Sequence, residues 1–318
     1  MNITAPNLDA LYYGFNTQYQ AALLNQPTYY QKFSQTIPST GRENRYAWID
    51  RLPRMREWVG ERQMQNLSAR GYTLVNRDWE LTDELDRNTV LDDQYGIFAS
   101  MNVPMMAAQS KLWPDQLLVD VLQNGNNVSN PIYQTWDGQP MFSASHPINF
   151  DNPAQGTFSN LFTGGGSTLT AATFNAARAA MIGYLGADNR PIGVMPNLII
   201  VPPQLEVAAR QILQATFIAP AAAVGMNAAG VQQTNVLTGM CDLVVHPYLA
   251  NQPTTWYMLD TSQAVKPFVF QLRQAPLFVF KNKPDDSNLF YRKKFVFGVD
   301  SRGAAGYTLP YFAAQCGV

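Results

Sequence analysis

The feature of this sequence that most constrains its fold is the uneven distribution of its charged residues. Only 14% of the 318 residues are Asp, Glu, Lys or Arg, and 20 of these 45 lie in residues 42–93, whereas residues 94–270 hold 13. Most of the middle of the chain must therefore present uncharged polar and small apolar residues. Interface cores are depleted in charge and enriched in aromatic residues, which make up 12% of this chain. The pattern is typical of a subunit that packs against its own copies, with a neutral globular enzyme as the alternative.

The overall composition limits the kind of partner. With 46% hydrophobic residues, the chain can bury a sizeable core. Its net charge of −1 gives no positive field to hold nucleic acid or an anionic membrane. No apolar stretch is long enough to span a membrane, and no secretory signal is visible, so we expect no membrane partner. Cys241 and Cys316 have no paired spacing and predict free thiols in a reducing cytoplasm.

The N-terminal region is rich in aromatic residues and nearly uncharged. Residues 1–40 carry two charges, Asp9 and Lys32, and we expect a short helix around 8–24 followed by extended chain. Such an arm has too little sequence to build its own core. It needs a surface to lie on, either its own or a neighbour's.

Next comes the charge-dense segment. Apolar residues alternate at Tyr46 and Trp48 and again at Tyr72 and Leu74, which predicts two strands of a long hairpin. An amphipathic helix over 57–69 is the competing interpretation. Acidic residues nearly balance the arginines here, which argues against nucleic-acid binding.

The rest of the chain predicts a mixed α+β architecture. Helical spacing from Asn88 predicts one long helix, kinked at Pro104 and ended at Pro114, where a shorter helix starts. Another helix is predicted over about 171–185, with Thr170 as its N-cap. Strands are predicted at QPMFSASHP, NLIIVPP, CDLVVHP, TWYMLD, KPFVFQL, LFVF and LFYRKKFVFGVDSRGAAGY.

No motif in the sequence carries catalytic or metal-binding chemistry. The two histidines, His146 and His246, are each followed by proline and have no metal-ligand spacing, so we expect buried or turn-capping roles. Ser143 and Ser145 stand beside His146 without a nucleophile motif. The sequence therefore predicts no enzyme activity, no bound metal and no cofactor.

Four segments carry a resemblance to a known family. They are YAWIDRLPRMREWVGER at 46–62, FSASHP at 142–147, LIIVPPQLEVAARQIL at 198–213 and FGVDSRGAAGY at 297–307. Together, in this order, they resemble the major head subunit of Mu-like phages and prophages. The resemblance implies a tailed-phage major capsid protein that assembles into hexamers and pentamers of an icosahedral shell enclosing double-stranded DNA. An encapsulin-like compartment shell and a soluble sugar-binding or sugar-processing protein are the alternatives.

The resemblance also implies a division of the chain within an α+β Hong Kong 97-type fold. The expected parts are an N-terminal arm (1–40), an E-loop (41–87), a peripheral domain with a long spine helix (88–165), an axial domain (166–285) and a return strand of the peripheral domain (286–318). The E-loop of the namesake phage carries a cross-linking lysine. Residues 41–87 contain no lysine, which argues against a covalently cross-linked shell.

Partners follow from the same resemblance. We expect a virion capsid of many copies, formed in the host cytoplasm, with a portal protein and enclosed DNA that is bound without sequence specificity. Because the sequence begins at the arm, a separate scaffolding protein is expected. Removing residues 1–38 is expected to leave a folded subunit that assembles poorly.

The E-loop is expected to contact neighbouring subunits through opposite charges, because basic residues crowd one arm of the hairpin and acidic residues the other end. The residues predicted to make these intersubunit contacts are Arg51, Arg54, Arg56, Arg62, Asp78, Glu80, Asp83, Glu84 and Asp86.

Overall fold

A computed structural model describes residues 5–49, 69–92, 101–163, 168–218, 233–281 and 287–318. The helices are α1 (Ala5–Asn25), α2 (Tyr30–Phe33), α3 (Arg87–Asp92), α4 (Val103–Gln123), α5 (Ala171–Ile182), α6 (Glu206–Leu213) and α7 (Ser287–Arg292). The strands are β1 (Ser34–Pro38), β2 (Glu43–Ile49), β3 (Ala69–Val75), β4 (Arg77–Asp86), β5 (His146–Pro147), β6 (Thr157–Phe158), β7 (Leu161–Phe162), β8 (Leu198–Val201), β9 (Phe217–Ile218), β10 (Gln233–Thr234), β11 (Asp242–Val245), β12 (Trp256–Leu259), β13 (Phe268–Lys281), β14 (Lys294–Tyr307) and β15 (Ala313–Cys316).

Two sheets organise the chain. The long sheet has the order β1-β13-β14-β4, in which β1 runs parallel to β13 and the other pairs are antiparallel. The second sheet has the order β11-β8-β12-β15-β7. Its strand β8 is buried along its whole length, as expected for a strand covered on both faces. Helix α4 contributes Leu118 and Leu122 to a core that contains side chains of both sheets.

Helix α4 corrects the prediction made from its prolines. Pro104 lies in the first turn of α4, directly after the π-helical residues 101–102, and Pro114 lies inside the helix instead of ending it. The predicted stop at Pro114 is therefore wrong. Trp113, Leu117 and Leu118 around this proline are buried, and such packing outweighs the lost hydrogen bond. Of the predicted helix upstream, α3 covers residues 87–92, and residues 93–100 lie outside the described part of the chain.

Helix α5 confirms the predicted N-cap. The Thr170 hydroxyl oxygen accepts a hydrogen bond from the Thr173 backbone N–H at 3.2 Å, and the Thr173 hydroxyl oxygen accepts one from the Thr170 N–H at 2.9 Å. These reciprocal bonds satisfy two backbone groups that have no partner within the helix.

The N-terminal arm lies on the body of its own chain. Tyr12 of α1 stacks on Phe280 with ring centroids 5.8 Å apart, and Phe15 meets the edge of Phe297 at 5.6 Å. Tyr19 and Phe33 are buried in the core. A chain without residues 1–38 would lose these side chains and strand β1. These contacts argue against a folded subunit after removal of residues 1–38, and the effect of that truncation stays a prediction.

The sheets do not follow the expected segment boundaries. Strand β13 falls in the segment assigned to the axial domain yet lies at the centre of the long sheet, beside β14. Strand β15 falls in the expected return strand yet lies inside the second sheet, between β12 and β7. The proposed division into an arm, a loop and two domains stays a prediction.

Candidate functional site

The predicted hairpin is present in the described residues as strands β2 and β3. Tyr46 pairs with Tyr72, and Ile49 pairs with Ala69 at the end farthest from the body of the chain. Alternating apolar residues therefore identified both strands, and the structure supplies their register. Residues 50–68 join the two strands and lie outside the described residues, as do the four predicted contact arginines, Arg51, Arg54, Arg56 and Arg62.

The base of the hairpin packs on the outer face of the long sheet, the face that points away from α4. Tyr72 and Leu74 are buried there against Val269 and Ala304. Burial raises the pKa of Tyr72 to about 12, and the Tyr307 backbone N–H donates to its hydroxyl oxygen at 3.4 Å.

A glycine permits this close approach. A Cβ atom on Gly306 would lie 2.7 Å from the Tyr72 hydroxyl oxygen and 3.1 Å from a Leu74 methyl carbon. Both distances are shorter than ordinary van der Waals contact between carbon and these atoms. Any larger residue at position 306 must displace the hairpin or the strand beneath it.

A cluster of hydrogen-bonded polar side chains holds the base of the hairpin, and we call it the root cluster. Its members are buried, except for Asn44 and Tyr46, which are partly exposed. Its members are Ser39, Asn44, Tyr46, Asn76 and Gln271. The Tyr46 hydroxyl donates to Gln271 Oε1 at 2.8 Å, and Gln271 Nε2 donates to Asn76 Oδ1 at 2.7 Å. Asn76 Nδ2 in turn donates to the Ser39 hydroxyl at 2.8 Å. Gln271 is 0% exposed, so these bonds form out of contact with water.

The predicted acidic residues lie on β4, the edge strand of the long sheet. Asp83 pairs with Phe297, whose side chain is buried beneath α1 and α4. Because side chains alternate along a strand, the other four predicted acids point to the outer face. These four are Asp78, Glu80, Glu84 and Asp86. They share that face with the base of the hairpin.

Within the described residues, these acids have local partners. Asp78 Oδ1 lies 3.1 Å from Arg302 Nε, and Glu84 forms an ion pair with Lys294. A hydrogen bond from Lys294, together with its positive charge, holds the pKa of Glu84 below its usual range. Glu80 accepts a hydrogen bond from a threonine hydroxyl, Asp83 accepts one from an asparagine amide at 3.5 Å, and Asp86 accepts one from a backbone N–H at 2.7 Å. Their predicted contacts with another subunit stay a prediction.

The hairpin and the acidic residues diverge along β14. The base of the hairpin contacts β14 at Ala304 and Gly306, whereas Glu84 and Asp86 pair with the opposite end of that strand. A strand rises about 3.3 Å per residue, so the two ends of β14 are roughly 40 Å apart. The hairpin therefore leaves the sheet at the end remote from Glu84 and Asp86, whereas Asp78 and Glu80 pair with Arg302 and Asp300 nearer its base.

Sequence patterns did not reveal a buried charged pair. His146 Nδ1 lies 2.7 Å from Asp137 Oδ2, and both side chains are 1% exposed. The other ring nitrogen lies 3.2 Å from the Met141 carbonyl oxygen, so both ring nitrogens have a polar partner. Burial would raise the pKa of Asp137, but the hydrogen bond and charge of His146 hold it below its ordinary value.

The second histidine has a turn-capping role, as expected. His246 Nδ1 accepts from the Tyr248 backbone N–H at 3.4 Å, and its Nε2 lies 3.8 Å from the buried carboxylate of Asp115. That carboxylate accepts the Tyr29 N–H at 3.1 Å and so links the arm to α4. Among the residues with described positions, no group of three His, Cys, Asp or Glu side chains could hold a metal ion, and no helix is long and apolar enough to span a membrane.

Comparisons with known proteins agree along nearly the whole chain. The sequence profile of the family described as "Mu-like prophage major head subunit gpT" matches residues 8–168, 162–249 and 250–316. The chain is 25% identical over 307 residues to the major capsid protein of Escherichia phage Mu, covering 96% of this chain and 72% of that protein. It is 23% identical over 308 residues to the Mu-like prophage FluMu major head subunit of Haemophilus influenzae, covering 96% and 71%.

A solved structure has the same fold. The chain is similar to a subunit of the procapsid of bacteriophage JBD30, with a TM-score of 0.59 and 26% identity. The similarity covers 98% of this chain and 75% of that chain. Over this length the chain thus has a fold that is found in a phage shell.

Proposed function

The chain belongs to the family of Mu-like prophage major head subunits and has a Hong Kong 97-type fold, and from this premise we propose how it builds a shell. It is a tailed-phage major capsid protein, a component of the virion whose shell consists of many copies. Family membership favours this function over an encapsulin-like compartment and over a sugar-binding or sugar-processing protein. The proposed role of each copy is structural and not catalytic.

In the proposed assembly, copies form hexamers and pentamers of a closed icosahedral shell in the host cytoplasm. A separate scaffolding protein guides assembly, a portal protein occupies one vertex, and double-stranded DNA fills the interior. The net charge of −1 supports enclosure without sequence-specific binding, because the protein offers no general positive field to the phosphate backbone.

The observation that carries the proposed contact between copies is the divergence of the hairpin from the acidic strand. Within one chain, β2 and β3 leave the long sheet at the end remote from Glu84 and Asp86. The acidic outer face of β4 is thus open to a different copy, and the arginines at 51, 54, 56 and 62 provide the complementary charge. Charge complementarity of this kind fixes orientation and register more than it adds affinity.

The experiment is a charge reversal. We expect the double variant Arg54→Glu and Arg56→Glu to fold normally and to assemble poorly, because the changed charges meet another copy. Circular dichroism and thermal melting report folding, and light scattering at several salt concentrations reports assembly. Salt should weaken wild-type assembly, since exposed charges are screened over about 8–10 Å near physiological ionic strength.

A matched control separates local from overall charge. The double variant Arg190→Glu and Arg210→Glu changes the net charge equally, at exposed positions beside the second sheet. It is expected to assemble much more like the wild type. If the Arg54 and Arg56 variant assembles like the wild type, these arginines lie on a solvated face. If its melting temperature falls, they lie in the subunit core. Either result contradicts the proposed contact.

A further inference from the structure

We propose that the root cluster sets the angle at which the hairpin leaves the subunit and thereby the curvature of the shell. Gln271 is the central positioning residue. The inference rests on the proposed function, because the angle matters only if the hairpin contacts a neighbouring copy.

One side chain connects the three segments that define the hairpin. Gln271 lies in β13, a central strand of the long sheet, and is 0% exposed. It accepts from Tyr46 of β2 at 2.8 Å and donates to the Leu74 carbonyl oxygen of β3 at 3.2 Å. Its third bond, at 2.7 Å, goes to Asn76, which links β3 to β4. One amide of the sheet therefore bonds to both hairpin strands and to their exit.

The chain segment that enters the hairpin, residues 39–42, is hydrogen-bonded to the same cluster. Asn76 Nδ2 donates to the Ser39 hydroxyl at 2.8 Å and to the Gly41 carbonyl oxygen at 2.9 Å. The Asn76 backbone N–H donates to the Arg42 carbonyl oxygen at 2.9 Å. Arg273, two residues beyond Gln271, donates to the Ser39 carbonyl oxygen at 3.1 Å. The chain thus enters and leaves the hairpin through one bonded unit.

The polar nature of this unit is what fixes an angle. Apolar contacts such as Leu74 on Val269 are non-directional and tolerate sliding. Hydrogen bonds prefer nearly linear geometry. A buried donor or acceptor that loses its partner costs free energy. A tilt of the hairpin must break bonds at Gln271 or Asn76, so the cluster resists tilting where apolar packing alone would allow it.

A small angle has a large effect at the far end of the hairpin. Each strand has seven residues, and the six steps from the Glu43 and Val75 pair to the Ile49 and Ala69 pair span roughly 20 Å at about 3.3 Å per residue. A tilt of about 10° moves that end by about 3.5 Å. Because every copy carries the same hairpin, such an error is repeated at every contact in a symmetric shell.

The test replaces Gln271 by methionine in the full chain. Methionine has nearly the same length and volume but makes none of the three hydrogen bonds, so core volume is kept while the directional contacts are lost. The matched control is Gln315→Met. Gln315 is also a glutamine in a central strand and 1% exposed, but it belongs to the second sheet and lies outside the root cluster.

A second variant, Tyr46→Phe, removes only one of the three Gln271 bonds and keeps the ring. For each variant, thermal melting of the unassembled subunit measures folding, and electron microscopy measures the distribution of particle diameters. We expect Gln271→Met to broaden the distribution severalfold with many open or aberrant shells, Tyr46→Phe to broaden it less, and Gln315→Met to match the wild type.

Several outcomes would overturn the inference. A folded Gln271→Met subunit that gives wild-type diameters removes the positioning role, and equal broadening by Gln315→Met assigns the effect to general stability. If Gln271→Met does not fold, the Tyr46→Phe variant becomes the test. Particles of Tyr46→Phe with the same diameter distribution as the wild type would then count against the proposal. Failure of the wild-type chain to form particles when its scaffolding protein is co-expressed would contradict the proposed function itself.

Discussion

At the scale of single residues, Gly306 sets how closely the hairpin approaches the sheet. In the variant Gly306→Ala the new Cβ atom lies 2.7 Å from the Tyr72 hydroxyl oxygen, so the hairpin base must shift. We expect a loss of about 1–3 kcal/mol in the free energy of unfolding, typical of overpacking. Urea unfolding measures this. The control is Gly71→Ala in β3, where a Cβ atom meets nothing within 4 Å. Equal midpoints for Gly306→Ala and wild type would contradict the expected crowding.

The buried pair of His146 and Asp137 gives a prediction with a pH dependence. Replacing Asp137 by Asn removes the carboxylate that is hydrogen-bonded to His146, and we expect a loss of about 1–3 kcal/mol in the free energy of unfolding at neutral pH. The folded-state pKa of Asp137 is lowered, so its contribution is present above the ordinary aspartate pKa and is lost as pH falls through the folded value.

Unfolding free energies measured from pH 7 down to about 3 test this sign. The gap between wild type and Asp137→Asn should narrow at the acidic end. The exposed Asp242→Asn serves as the control and should differ little from wild type. A gap that stays constant or widens toward low pH would show that the charge of Asp137 does not carry the stabilisation.

Sequence patterns predicted some of these residues and not others, for physical reasons. The Thr170 cap is local, since donor and acceptor lie three residues apart, and the sequence was sufficient to identify it. Asp137 and His146 meet across a loop of irregular chain, which no spacing rule predicts. Gln271 stands in an alternating strand where a polar residue suggests a solvent-facing position. It is buried only because the hairpin base covers it.

At the scale of elements, most predicted strands are present, but QPMFSASHP forms a strand only at His146–Pro147, and LFYR at the start of the last predicted strand belongs to helix α7. The continuity of strands was not predicted either. The predicted strands KPFVFQL and LFVF are parts of one strand, β13, whose pairing with β14 shifts register between Leu272 and Leu277. Pro276 lies in this irregular stretch, and a proline lacks the N–H that a regular ladder requires. Which strands share a sheet depends on contacts far apart in sequence, and for this reason the sheet membership of β13 and β15 was not predicted.

The arm gives a prediction at this scale. Phe15 of α1 is 5% exposed and packs on Phe297, so Phe15→Ala is expected to cost about 3–5 kcal/mol in the free energy of unfolding. Tyr13 on the same helix is 69% exposed, and Tyr13→Ala should stay within about 0.5 kcal/mol of wild type. Denaturant unfolding of both variants measures the difference. Equal stability of the two would mean that α1 does not contribute to the subunit core.

At the scale of the whole molecule, the two faces of the long sheet have different roles, one in the subunit core and the other in the proposed contact between copies. Its inner face contacts α1 and α4 and forms part of the core, while its outer face presents the hairpin base at one end and four acidic side chains spread along β4, of which Glu84 and Asp86 lie at the other end. Charge density along the sequence predicted the charged segment as the contact surface. It could not predict which face of the long sheet carries the acidic side chains or in which direction the hairpin leaves that sheet. Those depend on the pairing of β4 with β14.

Cryo-electron microscopy of particles formed by the full chain tests the central claim most directly. The account predicts closed shells in which the β2–β3 hairpin of every copy lies against a neighbouring copy, with the base of that hairpin held at one angle by Gln271. A chain that stays monomeric under all assembly conditions, or closed shells in which each hairpin contacts only its own subunit, would contradict it.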